Sequence, residues 1–326
     1  MSVVQRDEPL IRSGDEVVSA GSCFASSLIP YLESAGLRYL RTEARHPDFG
    51  DLPGEKYGYD SYSAAYGNIY TPRQLLQLLR RSVGVVKPVE DCWIMDRAFI
   101  DPFRPGLRYA ARSKEEFDLL TCQHLKKTKR AFERADVFIF TLGLTEAWMS
   151  VRDGMVFPAC PGTISGKFDP GLHAFVNFDV MQNAADLNAF IKELREINPD
   201  VRIILSISPV PLAATATGNH VLLATTHSKA VLRVAAEHVV NANTGVFYFP
   251  AYEIITGPQA PACFFEPDHR NVSQDGVAAV MSVFLSSCES SAPAGRSVGD
   301  KLPGNSAEWS RAFAEVECEE VAADRP

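Results

Sequence analysis

The sequence predicts an α/β fold, a three-layer α/β/α sandwich in which helices cover both faces of a mostly parallel sheet. Two observations support this prediction. Four short β-rich runs occur along the chain, at 15–20, 136–141, 201–208 and 246–249. Segments with helical periodicity lie between and after these runs, and such alternation of strands and helices is typical of parallel sheets.

The runs at 136–141 and 201–208 are almost continuously apolar. Strands of this composition are buried on both faces, as in the middle of a parallel sheet. The first run leads directly into Gly21. Ligands bind beyond the carboxyl ends of parallel strands, so polar or reactive residues just after each run are candidates for a functional site.

Six segments have apolar residues at helical spacing, and several carry start or stop signals. Thr71 and Pro72 form a plausible cap and first residue, and Ser273 is a capping residue before the last segment. Asn198 and Pro199 end another helix. The six helices are predicted at 24–35, 72–83, 114–134, 180–197, 228–240 and 273–285.

Two long segments, 41–112 and 148–178, interrupt the alternation of strands and helices. Long irregular insertions in a compact domain usually shape a binding site or a lid. Residues 1–287 are predicted to form one domain. Residues 288–326 are predicted to be a flexible tail, with a short helix at 307–321 as a candidate.

The charge balance argues against one class of partner. The 326 residues include 32 Lys and Arg against 40 Asp and Glu, a formal net charge of -8. Nucleic-acid binders need a basic face that displaces counterions from phosphate, so no nucleic-acid partner is expected. No apolar run reaches the ~18 residues of a membrane span, and the N-terminus is charged where a secretory signal is apolar. We therefore expect a cytoplasmic protein without a membrane span.

The seven cysteines are scattered, with no C-x-x-C pair and no histidine at zinc spacing, which favours reduced thiols.

Cys23 differs from the rest because it follows the first predicted strand. Gly21 permits a sharp turn into a helix, and the N-terminus of a helix favours an anion. A thiol there forms a thiolate more readily and could attack an acyl carbon. The alternative is that Ser22 only caps the helix and Cys23 only packs.

Residues 21–25 read Gly-Ser-Cys-Phe-Ala, and with further segments in the same order the chain resembles the GSCFA family, a relative of the SGNH/GDSL hydrolases. The resemblance covers about residues 15–285. It implies an SGNH-like, flavodoxin-like sandwich that carries acyl-transfer chemistry, as an esterase, thioesterase or acyltransferase. The further segments are 66–71, 101–104, 141–148, 160–162, 208–212, 228–229, 232–233 and 248–253.

The resemblance also implies roles for the residues of the first turn. SGNH enzymes use a serine nucleophile in a Gly-Asp-Ser turn after the first strand, and alignment puts Cys23 at the nucleophile and Ser22 at the aspartate. The exchange is chemically sensible, because a thiolate needs less help from a base than a hydroxyl does. Ser22 remains a competing nucleophile, and it is also a candidate for the oxyanion hole.

The second and third family blocks imply the remaining oxyanion donors. Gly67 and Asn68 match the oxyanion block. Gly143 to Glu146 match a Gly-x-Asn-Asp block, so that Thr145 would replace the oxyanion asparagine. Glu146 would then orient a histidine or bind substrate, and its alternative is a capping residue of a following helix.

The last block of SGNH enzymes is Asp-x-x-His, and here it reads Asp268 to Asn271. Asparagine cannot act as a general base, so the base must come from elsewhere. His269 lies two residues away, and His220 follows another predicted strand; we prefer His220, with His227 as a weaker third choice. Asp268 is also a candidate for substrate binding.

Lys229 and Arg233 are four residues apart and therefore share one helix face. They are predicted to bind an anionic substrate, and the alternative is a solvated helix face. The expected protein is an acyl-transfer enzyme that forms a covalent acyl-enzyme on Cys23 with a small-molecule or carrier-bound acyl substrate. No metal or organic cofactor is expected. The alternative function is a catalytically impaired module that binds glycan or acyl groups without hydrolysis.

Overall fold

The computed structural model describes residues 8–44, 58–59, 61–107 and 110–289. The strands in these residues are β1 (Glu16–Gly21), β2 (Arg38–Tyr39), β3 (Trp93–Met95), β4 (Ala98–Ile100), β5 (Val137–Leu142), β6 (Glu146–Ser150), β7 (Val156–Phe157), β8 (His173–Asn177), β9 (Arg202–Ile207) and β10 (Val246–Tyr248). The α-helices are α1 (Cys23–Ser34), α2 (Pro72–Ser82), α3 (Lys114–Arg134), α4 (Val180–Ile197), α5 (Val221–Ala242), α6 (Ala251–Thr256) and α7 (Gln274–Ser286).

The central sheet has five strands in the described residues, in the order β10-β9-β5-β1-β2, and every pair is parallel. Gly21 of β1 is level with Thr141 of β5, which in turn is level with Ser206 of β9. The carboxyl ends of the three middle strands therefore meet at one edge of the sheet.

Side chains of alternate residues on each strand enter two hydrophobic cores, one on each face of the sheet. On one face Phe138 and Phe140 of β5 pack with Phe132 of α3, Phe190 of α4 and Leu232 of α5. On the other face the neighbouring strand residues pack against α1, α6 and α7, through Val137, Ile139, Phe24, Ile255 and Val280. This arrangement confirms the predicted three-layer α/β/α sandwich.

Helices with strong local signals have the predicted bounds. Both α3 and α4 begin and end at the predicted residues, and Ser113 and Asp179 cap them. By contrast α5 begins at Val221, seven residues before the predicted start. Thr225, Thr226 and His227 obscure the helical pattern there. The short α6 and the two-residue edge strand β2 were not predicted, because neither is long enough to show a period.

The segment 148–178 differs from the irregular insertion that was predicted. It contributes to a three-stranded antiparallel sheet in the order β7-β6-β8, and the rest of the segment forms the connections between these strands. Because β6 begins at Glu146, the interpretation of Glu146 as a helix-capping residue is wrong. Within the other insertion, β3 and β4 form a hairpin and α2 packs against α3 and α4.

The chain beyond Glu289, including the candidate helix at 307–321, lies outside the described residues. Just before that point, the Glu289 backbone N–H donates a hydrogen bond to the Ile11 carbonyl oxygen. The domain boundary at 287 stays a prediction. None of the helices in the described residues is both long and apolar enough to cross a membrane.

Candidate active site

The turn between β1 and α1 is packed tightly against the end of β5. A Cβ atom added to Gly21 would lie 2.7 Å from the Thr141 carbonyl oxygen and 2.8 Å from the Ala25 Cβ. Ser22 has extended backbone and occupies the N-cap of α1, and Cys23 is the first helical residue. The glycine of the motif is therefore required by close approach, and it places Cys23 at a helix N-terminus.

Cys23 is half-buried in a pocket at the carboxyl end of the sheet. The pocket encloses about 320 Å³, part of it open to solvent. Segments that follow β1, β5 and β9 contribute to it, together with the loop before α7. The lining residues from these segments include Ser22, Cys23, Gly143, Leu144, Ser208 and Arg270.

Ser22 lines this pocket, and its hydroxyl is buried. The residue is 4% exposed, and its Oγ has no hydrogen-bond partner among the described residues. Leaving a buried hydroxyl unsatisfied costs about 1–3 kcal/mol, so such groups are rare and call for an explanation. A hydroxyl in this position can donate a hydrogen bond to an oxygen atom of a bound substrate.

The Gly67-Asn68 block lies directly against the nucleophile turn. The Ile69 N–H donates to the Gly21 carbonyl oxygen at 2.8 Å. The Tyr62 hydroxyl lies 2.6 Å from the Ser22 carbonyl oxygen and 3.1 Å from Asn68 Oδ1. Tyr62 thus links Asn68 to the backbone of Ser22, and Gly67 precedes Asn68 in a left-handed turn with a φ of 68°. Neither Gly67 nor Asn68 is among the described residues that line the pocket, so their predicted oxyanion role stays a prediction.

The segment after β5 forms another wall of the pocket, but not through the residue that was predicted. Thr145 is fully buried, its N–H donates to Ser228 Oγ at 2.9 Å, and its Oγ1 donates to Asn177 Oδ1 at 2.6 Å. Both donors point into the protein, so this placement does not support Thr145 as an oxyanion donor. Gly143 and Leu144 line the pocket instead.

Gly143 itself is held against Tyr70, another residue of the pocket wall. Its N–H donates to the Tyr70 carbonyl oxygen at 2.9 Å. A Cβ atom on Gly143 would lie 3.1 Å from Tyr70 Cδ1. The absence of a side chain therefore lets the two backbones approach and shapes the wall.

The carboxylate of Glu146 holds the loop that precedes His220. Its Oε1 accepts from the Thr215 hydroxyl at 2.7 Å, and its Oε2 accepts from the Ala216 N–H at 3.3 Å. His220 is exposed at the N-cap of α5, where its Nδ1 accepts from the Leu222 N–H at 3.2 Å. Glu146 thus positions the loop of His220.

His269, the other base candidate, is exposed on the loop before α7 and has a left-handed φ of 55°. Its backbone N–H donates to the Glu266 carbonyl oxygen at 2.9 Å. Neither His269 nor His220 is among the described residues that line the pocket. The structure therefore does not bring a predicted histidine into the pocket wall beside Cys23.

Asp268 and Asn271 are joined by a hydrogen bond, in which Asn271 Nδ2 donates to Asp268 Oδ2 at 2.6 Å. The backbone N–H groups of Arg270 and Asn271 both donate to Asp268 Oδ1 at 2.9 Å. Burial opposes ionisation of Asp268, but these hydrogen bonds outweigh it and hold its pKa below the usual value. The Asp268 carboxylate orders the loop, which makes direct substrate binding by this residue less favourable.

Arg270 is the pocket residue that sequence reasoning missed. It lies between the two positions of the broken Asp-x-x-His block and lines the pocket together with Ser22 and Cys23. A loop residue has no periodicity to reveal where its side chain points. The only available signal was its position next to Asn271.

Lys229 and Arg233 do not form the joint anion site that was predicted. Lys229 is 2% exposed, and its Nζ donates to the Gly143 carbonyl oxygen at 2.6 Å. Arg233 pairs with Glu237 at 2.7 Å and with Glu253 at 3.0 Å. Lys229 therefore supports the pocket wall from inside the protein, whereas Arg233 belongs to an ion-pair network on the surface of α5.

No group of three or more His, Cys, Asp or Glu residues is arranged to hold a metal ion in the part of the chain that the structure describes.

A family model described as the GSCFA family matches residues 16–284 of the chain. A search of curated proteins finds no match. Among solved structures, a candidate platelet activating factor from Streptococcus pneumonia is 16% identical, with a TM-score of 0.28 over 47% of this chain and 59% of that one. A candidate GDSL-like lipase from Parabacteroides merdae is 15% identical, with a TM-score of 0.27 over 47% of this chain and 60% of that one.

A third solved structure is a carbohydrate esterase family 2 enzyme with a carbohydrate-binding domain from Corynascus thermopiles (Myceliophthora fergusii). It is 11% identical, with a TM-score of 0.30 over 87% of this chain and 68% of that one. The chain spans less than two thirds of the length of the first two neighbours. The fold assignment rests on the order and direction of the strands and on the family match.

Proposed function

Because the chain belongs to the GSCFA family, we propose that it is an SGNH-like acyl-transfer enzyme, an esterase, thioesterase or acyltransferase, with Cys23 as nucleophile. One observation carries the proposal. A half-buried thiol at the N-terminus of α1 shares a pocket with the buried hydroxyl of Ser22, which has no hydrogen-bond partner among the described residues. Acyl transfer needs a nucleophile beside a hydrogen-bond donor that can bind the oxyanion, and this arrangement provides both.

In the proposed reaction the Cys23 thiolate attacks the carbonyl carbon of an ester or thioester. A C–S bond forms, and the carbonyl oxygen becomes an oxyanion. The intermediate collapses to an acyl-enzyme as the bond to the alcohol or thiol breaks, and the leaving group takes the proton that the base removed from the Cys23 thiol. Water or another acceptor then gives a proton to the base and attacks the acyl carbon, the C–S bond breaks, and the acid or acyl product leaves as the Cys23 sulfur regains the proton.

The oxyanion would be bound by the donors that surround the thiol. The first backbone N–H groups of α1 lie at the positive end of the helix dipole, and that of Ala25 already donates to the Ser22 carbonyl oxygen at 2.7 Å. The Ser22 hydroxyl and the side chain of Asn68 are the further donors. Each such donor contributes about 10²–10³ in rate in well-studied acyl-transfer enzymes.

His269 and His220 are the proposed candidates for the base, and the cap of α5 favours His269. The Nδ1 lone pair of His220 is used by the Leu222 N–H. Acceptance of a proton at Nε2 of His220 therefore requires a change of tautomer and the loss of a helix cap. Among the described residues no hydrogen bond involves the ring of His269, and His269 adjoins Arg270, a pocket residue.

The test is intact and peptide mass spectrometry after incubation with short-chain acyl thioesters and p-nitrophenyl esters. An acyl adduct at Cys23 is expected, and it should disappear in Cys23→Ala but persist in the control Cys122→Ala. His269→Gln and His220→Gln are compared with His238→Gln, an exposed histidine of α5. Turnover that survives in Cys23→Ala would overturn the assignment of the nucleophile.

One observation favours a second candidate function, an SGNH-fold module that binds glycan or acyl groups without hydrolysis. The superfamily histidine is replaced by Asn271, and no histidine is among the described residues that line the pocket. For such a module, acyl ligands would bind saturably but neither an adduct nor turnover would appear. The same mass spectrometry, combined with equilibrium binding of a non-hydrolysable acyl amide, separates the two functions.

A further inference from the structure

A second pocket, here called the α2 pocket, is lined by residues of α2, α3 and β7 and of the segments before α2 and α3. No described residue lines both this pocket and the pocket around Cys23. The α2 pocket encloses about 320 Å³, part of it open to solvent. Pockets for drug-sized ligands enclose about 300–1,000 Å³, so the α2 pocket suits a smaller ligand. Its polar lining residues are Tyr66, Gln74, Gln77, Arg81, Arg104 and His124, and none of the described residues that line it is an Asp or Glu.

Arg81, in the last turn of α2, brings a buried positive charge to this pocket. The residue is 7% exposed, and its Nε has no hydrogen-bond partner among the described residues. Its guanidinium lies over the Phe103 ring, 3.9 Å from the ring centre. An aromatic face attracts a cation, but it offers no oxygen atom to the in-plane N–H groups of a guanidinium. Because a buried charge without hydrogen bonds is costly, Arg81 calls for an acceptor.

Asp101 attracts Arg81 but does not supply that acceptor. Its Oδ2 accepts from Arg104 Nε at 2.8 Å, and its Oδ1 accepts from the Phe103 N–H at 2.9 Å. Arg104 also brings a second guanidinium to the pocket, and the two positive charges repel each other. Burial and this repulsion lower the pKa of Arg81, and the attraction to Asp101 does not outweigh them. An anion in the pocket would offset the cost of burying Arg81.

His124 adds a polar group to the same pocket. Its Nδ1 lies 2.7 Å from Glu43 Oε2, and the pKa of Glu43 is lowered to about 2, so this carboxylate is ionised at neutral pH. A ring nitrogen that faces an ionised carboxylate carries the proton, so Nδ1 donates to Glu43. The other ring nitrogen, Nε2, can then accept from the hydroxyl of a protonated anion or, in the imidazolium form, donate to an anion oxygen.

The glutamine side chains fix the shape of the pocket. Gln77 Nε2 donates to the Gly154 carbonyl oxygen at 2.8 Å, and its Oε1 accepts from the Val156 N–H at 2.8 Å. Gln74 is likewise bonded through both ends of its amide to backbone groups just before α2. Since both amides are used within the protein, recognition of a ligand falls mainly to the charged group of Arg81.

We infer that the α2 pocket binds a small oxyanion, a phosphate or a carboxylate, and that Arg81 binds its charge. A guanidinium presents two parallel N–H groups that match the oxygen atoms of both phosphate and carboxylate. The anion is either a free ion or the charged group of a small molecule, since both have the same chemistry at Arg81. The site is separate from Cys23, so the inference does not depend on acyl transfer.

The test is isothermal titration calorimetry at constant ionic strength with inorganic phosphate, methyl phosphate and acetate, and with chloride as reference. At least one of the three oxyanions should bind saturably, at one site per chain and more tightly than chloride. In Arg81→Gln its affinity should fall about ten-fold or more, because a charge-assisted pair of hydrogen bonds is lost. Tightest binding of inorganic phosphate indicates a free ion. Equal or tighter binding of methyl phosphate or acetate indicates the charged group of a small molecule.

Arg80→Gln is the matched control. Arg80 is the preceding residue of α2, pairs with Glu193 at 2.6 Å, and does not line the α2 pocket. Its charge is partly exposed and screened by solvent, so the affinity should change by less than about two-fold. Circular dichroism establishes that both variants are folded.

A second measurement uses the wild-type protein and so does not depend on the folding of a variant. The imidazole NMR signals of His124 should shift on titration with the bound anion and saturate with the affinity found by calorimetry. Those of His238, exposed on α5, should stay in place. The inference is overturned if no oxyanion binds more tightly than chloride, if Arg81→Gln and Arg80→Gln lose affinity equally, or if the His124 signals do not move.

Discussion

The ammonium of Lys229 and the carbonyl oxygen of Gly143 are joined by a hydrogen bond of 2.6 Å inside the protein, directly behind the wall of the pocket. Lys229 is 2% exposed, although lysine is among the residue types that are most rarely buried. The bond ties α5 to the segment after β5, so it couples the packing of a helix to the position of Gly143.

We expect Lys229→Ala to lower the free energy of unfolding by about 2–4 kcal/mol, because it removes a buried hydrogen bond and leaves a cavity. The pocket wall at Gly143 should loosen, and acyl transfer should fall as well. Urea denaturation and ester hydrolysis measure the two effects. Lys192→Ala, at an exposed position on α4, is the control and should change stability by less than about 0.5 kcal/mol. Equal stability of the two variants would contradict a structural role for the bond.

Ser22→Ala should separate stability from activity. Removing a buried hydroxyl that has no hydrogen-bond partner relieves a desolvation cost, so the free energy of unfolding should stay constant or rise by up to about 1 kcal/mol. The rate of acyl transfer should nevertheless fall at least about ten-fold, since a donor to the oxyanion is lost. Thermal unfolding and steady-state kinetics measure the two quantities.

Ser165→Ala is the matched control for this prediction. Ser165 Oγ is also buried without a partner in the described residues, and Ser165 does not line the pocket around Cys23. Its replacement should have the same small effect on stability and no effect on the rate. A rate that is unchanged in Ser22→Ala would remove the serine hydroxyl from the oxyanion hole.

Gly21→Ala should destabilise the protein far more than an alanine at an open glycine. The new Cβ would lie 2.7 Å from a backbone oxygen of Thr141, which cannot move aside without distorting β5. We expect a loss of about 3 kcal/mol or more, together with loss of activity. Gly36 has a φ of 78° and no atom within 4 Å of an added Cβ, so Gly36→Ala should cost only about 1–2 kcal/mol of backbone strain. Similar midpoints of chemical denaturation for the two variants would contradict the tight turn.

The buried pair of Glu43 and His124 predicts how stability depends on pH. The two side chains are 2.7 Å apart. Burial opposes ionisation of Glu43, but the interactions with His124 and Arg104 and the Ala65 N–H outweigh it and lower its pKa from 4.5 to about 2. A carboxyl whose pKa is lowered on folding stabilises the protein at pH values above its pKa in the unfolded chain. That stabilisation is lost as the pH falls through its pKa in the folded protein.

Acidification from pH 4.5 to 2 should therefore remove about 3 kcal/mol of stability through Glu43 alone. Glu43→Gln cannot ionise, so in this variant that part of the acid dependence should vanish. Denaturation midpoints across the pH range test this, with Glu193→Gln at the partly exposed Arg80 pair as control. An acid limb of identical slope in wild type and Glu43→Gln would contradict the assignment.

Local signals in the sequence determined the order of strands and helices, because apolar periodicity and capping residues act within one segment. They placed α3 and α4 to the residue and put Cys23 after the first strand. Sequence likewise pointed to the carboxyl edge of the sheet, since parallel strands must end there together.

Tertiary structure decided what surrounds Cys23. Inside the protein, the Lys229 ammonium donates to the Gly143 carbonyl oxygen and the Thr145 N–H donates to Ser228 Oγ. Neither residue therefore binds substrate in the predicted way. Arg270 entered it from a loop more than 240 residues away in the chain. Side-chain direction in loops and burial of single polar groups depend on contacts between distant segments, and such contacts leave no periodic pattern in the sequence.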